Sequence, residues 1–335
     1  MGKRGHSHPS HGVIHSRDDA DRLESQPRRR RRAGHHRHQE ASPTAPRRLS
    51  AGQRSQVLIG GPDLEAPELV FETEELLLEA PNWSPDGAGL LLNGDGLLHL
   101  LDLADPTRLG PVEFRNIPPI NNDHVVHPDG RHILLSADDG HIHHGALTGG
   151  DTTIVTLDDG MSHFLHGVSP DGGRIAYVEL GPDGPPGRLM VMPLSGERAP
   201  SPLDTGPGHV DGPEWSPDGD WILCTTEAFA ETSGHAQLAR LPEAGGALER
   251  LRTSPTVDWF PHPAPDAVHG SFLAYPPGTQ GHPGDVDVVV HVVRTADWDE
   301  SVQQYPVFGG QGTLNVNSWS PDSTRCAFVA HPFDA

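Results

Sequence analysis

A five-residue phrase returns at nearly even spacing along the chain, and few folds accommodate such a pattern. The copies are Trp83-Ser84-Pro85-Asp86-Gly87, Val126-His127-Pro128-Asp129-Gly130, Val168-Ser169-Pro170-Asp171-Gly172, Trp215-Ser216-Pro217-Asp218-Gly219 and Trp319-Ser320-Pro321-Asp322-Ser323, with a degenerate sixth at Pro263-Ala264-Pro265-Asp266. Equivalent positions 83, 126, 168, 215, 263 and 319 are 43, 42, 47, 48 and 56 residues apart. That is the period of a four-stranded propeller blade.

Within the phrase, proline presets φ for a turn, aspartate can bond nearby backbone, and glycine accepts a positive φ. An apolar residue ends a strand before it. Alternating apolar runs begin after it, at Leu90 to Leu92, His132 to Leu135, Arg174 to Val178, Trp221 to Cys224 and Arg325 to Val329. Each phrase therefore reads as the hairpin between strands A and B of a blade, and its aspartate as a turn carboxylate rather than a catalytic acid. Further short runs (Leu97 to Leu103, His141 to Leu147, Arg188 to Pro193, Gln237 to Leu241) and breakers at Gly149-Gly150 and Gly245-Gly246 bring the count to four strands per period. With no amphipathic helix pattern between them, the expected class is all-β, a six-bladed propeller. Only twelve residues follow Ser323, enough for one strand. Two strand-like segments before the first copy, Gln56 to Ile59 and Glu68 to Glu72, have no blade of their own. They are expected to pair with the C-terminal strands and close the ring, which removes open sheet edges.

The repeated Ser-Pro-Asp-Gly with its preceding Trp resembles the WD40-like, or PD40, repeat of TolB-like propeller proteins, over residues 55–335. The resemblance implies the fold. It leaves the chemistry open, because the superfamily includes envelope proteins, sugar lyases and non-catalytic halves of peptidases. TolB itself would be periplasmic, with an α/β domain ahead of the propeller. The sequence shows neither an export signal nor residues enough for that domain, so the envelope role is not carried over.

Residues 1–54 hold 13 Lys or Arg against 5 Asp or Glu, a balance of +8; residues 55–335 hold 11 against 41, a balance of −30, for a total of −22. The first segment, with Arg28 to Arg32 and seven histidines, lacks the apolar residues to form a core and is expected to be a disordered tail. Its arginines suggest salt-sensitive contact with nucleic acid, the plainer alternative being a solvated extension. The acidic propeller should repel nucleic acid. No stretch approaches the ~20 apolar residues of a membrane span, and no signal-peptide core is present, so the expected location is cytoplasmic with no membrane partner. Cys224 and Cys326 fall in blades separated by another blade, which disfavours a disulfide.

In a propeller the segments entering each A strand and the loops joining B to C gather at one mouth of the central channel. Those segments bring Glu79 and Asn82, Asn121 to His124, Ser162, His163 and His166, His209, Asp211 and Glu214, His235 and Gln237, Trp259 and His262, His282 and Asp285, and Gln311, Asn315 and Asn317 to one rim. The binding candidates are Asn122, Asp123, His163, Asp211, Glu214, Trp259, His282 and Gln311. Imidazole is a common ligand of divalent metals and titrates near neutrality. His124, His166, His235 and His262 are therefore metal-ligand candidates for Mn or Zn, with His124 and His166 as candidate bases. Sixteen histidines in the propeller make some crowding on a rim expected by chance. Trp83, Trp215, Trp221 and Trp319 read as filling between blades, whereas Trp259 could stack on a sugar or pack.

No Gly-x-Ser-x-Gly elbow, His-Glu-x-x-His, Cys-x-x-Cys or dinucleotide fingerprint occurs, and the propeller lacks lysine, which argues against a nucleotide-triphosphate site. Two functions remain. The first is a non-catalytic recognition module holding a protein segment or carbohydrate at the His-rich mouth. The second, implied by similarity to oligogalacturonate lyases, is a metal-dependent enzyme acting on an acidic sugar, the ion acidifying a C–H that His166 or His124 would deprotonate. Those lyases' closely spaced Gln and His ligands are not found as one motif. His163-Phe164-Leu165-His166 is the nearest pairing, and in a strand its two histidines face opposite sides.

Overall fold

The computed structural model describes residues 47–196 and 199–334. The expectation of a disordered tail lies outside the described residues up to position 46. Among the described residues there is no helix. Six antiparallel blades surround a channel, five of them four-stranded sheets and the sixth three strands with an irregular innermost segment, each phrase forming an A-to-B hairpin as expected. Blade one runs Leu78–Trp83, Gly89–Gly94, Leu97–Asp102 and Leu109–Pro111 from the inside outwards; blade two runs Ile120–Val126, His132–Ala137, Ile142–Ala146 and Thr153–Ile154. Blade three holds Ser162–Val168, Arg174–Gly181, Gly184–Pro193 and Ser201–Pro202; blade four holds Val210–Trp215, Trp221–Thr226, Gln237–Pro242 and Glu249–Arg250. Blade five, built of Val257–Pro263, His269–Tyr275, Gly284–Arg294 and Asp297–Gly310, has the longest outer hairpin.

Blade six joins both ends of the described chain. Its B strand, Cys326–Ala330, pairs with Ser55–Gly60 from Gln56↔Ala330 to Gly60↔Cys326, and Ser55–Gly60 pairs with Glu68–Thr73. Its innermost segment is irregular and meets the B strand at the Trp319↔Cys326 bridge. The Arg54 amide donates to the Pro332 carbonyl at 3.0 Å and the Asp334 amide to Gly52 at 2.8 Å, extending the closure beyond the strands. Residues 47–54, on the tail side of the boundary read from charge, already pack on the ring: Arg48 pairs with Asp95 at 2.7 Å and Arg54 with Glu72 at 3.1 Å.

The core is a circle of six wedges, each drawn from two neighbouring blades. Leu91 and Leu98 meet Ile133 and Leu135 between blades one and two, for example, and Leu223 and Leu238 meet Phe272 and Trp298 between blades four and five. Trp83, Trp215 and Trp319 fill wedges as expected. Trp221 does not: it is half-buried, with the Arg240 guanidinium 4.1 Å above its ring, a cation–π contact at the surface. Cys224 and Cys326 are buried free thiols, and burial pushes both pKa values up to about 12.

The phrase aspartates are turn locks. Ser216 Oγ donates to Asp218 Oδ1 at 2.5 Å and accepts from the Trp221 amide at 3.0 Å. Ser84, Ser169 and Ser320 repeat both bonds in their own hairpins. Two copies lack the serine, and there a histidine three residues beyond the aspartate replaces it: His132 Nδ1 lies 2.6 Å from Asp129 and His269 Nδ1 2.8 Å from Asp266. The Ser320 hydroxyl is the largest influence lowering the Asp322 carboxyl to about 2.

Two outcomes are expected. Ser216→Ala should lower unfolding free energy by about 1 kcal/mol, the net worth of one such bond, in urea titrations with an unchanged m-value. A chain starting at residue 78 lacks both N-terminal strands of blade six and should lose the cooperative calorimetric transition of the full chain; identical melting would refute closure.

Candidate functional site

Every A strand with regular pairing carries a register shift, a bulge that re-aims side chains into the channel. In blade five the bulge places Phe260 at φ 59°, a left-handed conformation rare for a bulky residue. Its buried ring stacks on His166 at 5.9 Å and on His262 at 6.5 Å, with the His282 ring edge-on at 5.3 Å. Gly212 makes room for it, since a Cβ there would lie 2.8 Å from Phe260 Cδ1. Phe260 thus separates two polar layers.

The layer nearer the A-strand hairpins joins Glu214, His262, Asn317 and Asn82. His262 Nδ1 lies 2.5 Å from Glu214 Oε2, and Asn317 Nδ2 donates to the other Glu214 oxygen and to the Pro263 carbonyl at 2.8 Å. Asn82 Nδ2 donates to the Asn317 carbonyl at 2.5 Å. Residues of blades one, four, five and six are thereby tied together.

The layer at the mouth centres on Asp211. His166 Nε2 lies 2.9 Å from Asp211 Oδ1, and His282 Nε2 lies 3.4 Å from Oδ2. Asp123 Oδ1 approaches His166 Nδ1 at 4.0 Å. Burial opposes a charge on His166, but Asp123 and Asp211 more than offset it and raise its pKa to about 9. Burial would raise Asp211, yet His166 and His282 hold it well below the usual carboxylate range. Asp123 is raised, by burial and by the like charge of Asp211.

Beside this group sits a residue that sequence reasoning assigned to the tail. Arg47 Nη1 donates to Glu79 Oε1 at 2.7 Å and to the Gln311 carbonyl at 2.9 Å, and Nη2 lies 3.7 Å from Asp285. Gln53 Nε2 donates to Asp285 at 2.6 Å. Burial pushes the Glu79 carboxyl up to about 7, against the pull of Arg47. Nothing local in the sequence marks Arg47 among its neighbouring arginines; ring closure brings it to the mouth.

Of the predicted residues, Asp123, His166, Asp211, His282 and the Gln311 backbone share the mouth, and Glu214 and His262 share the second layer. Asn122 is buried at the start of blade two. His163, facing away from His166 as the strand alternation predicts, bonds the Gly140 carbonyl through Nδ1 at 2.7 Å. Trp259 is only 2% exposed, with its ring edge-on to His282 at 4.5 Å, so it packs and offers no open face to a sugar.

The four proposed metal histidines do not form a metal set. His124 is sealed at 0% exposure with neither ring nitrogen hydrogen-bonded, and burial lowers its pKa to about 4. His235 Nε2 lies 3.0 Å from the Ser254 and Thr256 carbonyls. His166 and His262 are committed to separate carboxylates. Of the two candidate bases, His166 lies at the mouth with its pKa, against the effect of burial, raised by Asp123 and Asp211, and His124 is enclosed. Among the described residues, a His-carboxylate group with ligand atoms within 4.8 Å of one another occurs instead at Asp159, His163 and Glu179.

The chain matches no protein-family model. It is 35% identical over 297 residues to an uncharacterised protein of Agrobacterium fabrum, covering 85% of this chain and 96% of that one. A solved structure from Agrobacterium tumefaciens, provisionally described as TolB, is 34% identical with a TM-score of 0.76, over 84% of this chain and 99% of that one. An oligogalacturonate lyase from Vibrio parahaemolyticus, at 12% identity and a TM-score of 0.50 over 83% of this chain and 78% of that one, shares the fold alone.

Folded His166 keeps its proton up to about pH 9, whereas an unfolded imidazole loses it near 6.5. Its pairing therefore stabilises the fold fully below about pH 6.5 and less as pH rises through 9. His166→Gln should flatten stability across that window in urea titrations at several pH values; an unchanged slope would contradict the assignment.

Proposed function

Because the chain belongs to the family of TolB-like six-bladed propellers, we propose that it is a non-catalytic recognition module whose channel mouth holds a basic protein segment. The observation that carries this reading is the Arg47 guanidinium, seated between Glu79, the Gln311 carbonyl and Asp285. A mouth that orders one guanidinium has the donor-matching chemistry for others. The propeller balance of −30 adds long-range attraction for cations and opposes polyanions, which weighs against an acidic sugar as ligand. Buried Trp259 removes the stacking face a carbohydrate would use. Protonated His166 suits a fixed electrostatic role rather than proton abstraction.

The test is fluorescence anisotropy with labelled Arg-containing, Lys-containing and Glu-containing peptides of equal length. The Arg peptide is expected to bind best, more tightly to Arg47→Ala, which vacates the seat, and about tenfold or more weakly to Glu79→Gln, the worth of a hydrogen bond to a charged group. Raised salt should weaken binding. Equal affinity for all three peptides would defeat the reading.

A further inference from the structure

We propose that Asp159, His163 and Glu179 form a divalent-cation site on the rim of blade three, outside the two channel layers. His163 and Glu179 are direct cross-strand partners of strands A and B, so their side chains share a face, and Asp159 arrives from the loop entering the blade. One ligand atom from each residue lies within 4.8 Å of the others, and His163 Nε2 is 3.5 Å from Asp159 Oδ1.

The ring is positioned for ligation. Donation from His163 Nδ1 to the Gly140 carbonyl at 2.7 Å orients the ring so that Nε2 is the nitrogen turned towards the two carboxylates, the orientation that metal-bound histidines receive from an outer hydrogen bond. Tyr177, edge-on at 5.4 Å, and His141, stacked at 6.0 Å, hold the ring plane. The Met161 amide donates to Asp159 Oδ1 at 3.0 Å and steadies that carboxylate. His163 and Glu179 are buried while Asp159 is exposed, so one side remains open for the ion and for water.

The donor set selects the ion. An imidazole nitrogen favours first-row transition cations over Mg²⁺ and Ca²⁺, and three protein ligands with an open fourth position suit Zn²⁺, with Mn²⁺ bound more weakly. At present the charge on Glu179 is met by Arg188, its cross-strand neighbour, whose guanidinium pairs with Glu179 Oε1 and is otherwise largely exposed. A cation and Arg188 therefore compete for one carboxylate. This competition distinguishes the site from adventitious binding by the histidines of residues 1–54.

The experiment is a competition titration of the full chain with Zn²⁺ against a chromophoric chelator, repeated with Mn²⁺, Mg²⁺ and Ca²⁺. His163→Ala and Glu179→Gln should each remove one Zn²⁺ equivalent, Asp159→Asn should weaken it about tenfold or more, and Arg188→Ala should tighten it about tenfold. Circular dichroism in EDTA checks that each variant is folded, and Arg188→Ala carries the test should His163→Ala not fold. Unchanged stoichiometry and affinity in Glu179→Gln, no tightening in Arg188→Ala, or preference for Mg²⁺ or Ca²⁺ would overturn the proposal.

Discussion

The antiparallel pairing of Ser55–Gly60 with Cys326–Ala330 supports the rest of the molecule because it supplies both faces of the sixth blade. Side chains alternate along a strand. Val57 and Ile59, with Ala327 and Val329, pack into the wedge against blade one; Leu58, with Cys326, Phe328 and Ala330, packs into the wedge against blade five. Without this strand two of six wedges would face water and blades one and five would present bare apolar faces. The hydroxyl of Tyr305, reaching the Gly61 carbonyl at 2.9 Å, ties the outer hairpin of blade five to the same closure.

A similar economy governs the hairpins. The aspartate of each phrase is committed to its own turn, by serine in four blades and by histidine in two, which removes six carboxylates from consideration as chemistry. What remains at the mouth departs from the repeat: Glu79 and Asp211 just before bulges, His282 and Asp285 on the blade-five loop, and Arg47 ahead of the first strand. Departure from repeat consensus is where individual function can reside, since scaffold positions are constrained by packing.

Histidine and carboxylate are combined in two physical ways. In the mouth, His166 lies between Asp123 and Asp211, and their fields stabilise its proton despite burial. At the rim, a backbone carbonyl accepts a hydrogen bond from His163 Nδ1, and Nε2 is turned towards Asp159 and Glu179. The first arrangement makes a fixed charge suited to ordering acidic groups around a cation. The second turns a ring nitrogen towards two carboxylates, the donor set of the proposed metal site. Residue type alone does not distinguish them; the hydrogen-bond partner does.

By itself the sequence determined the six hairpins, their spacing, the all-β class and the closure by Gln56 to Ile59 and Glu68 to Glu72, because turn chemistry and strand alternation act over a few residues. It also placed Asp123, His166, Asp211 and His282 on one side of the ring. Only the tertiary structure decided that His124 is sealed, that Trp259 is packed, that Trp221 lies at the surface under Arg240, and that His166, His235 and His262 point to separate partners. It also brought in Arg47 and assembled Asp159, His163 and Glu179. The reason is physical: which side chains converge depends on bulge geometry and on neighbouring blades joined through space, and neither is encoded in the residues immediately around them.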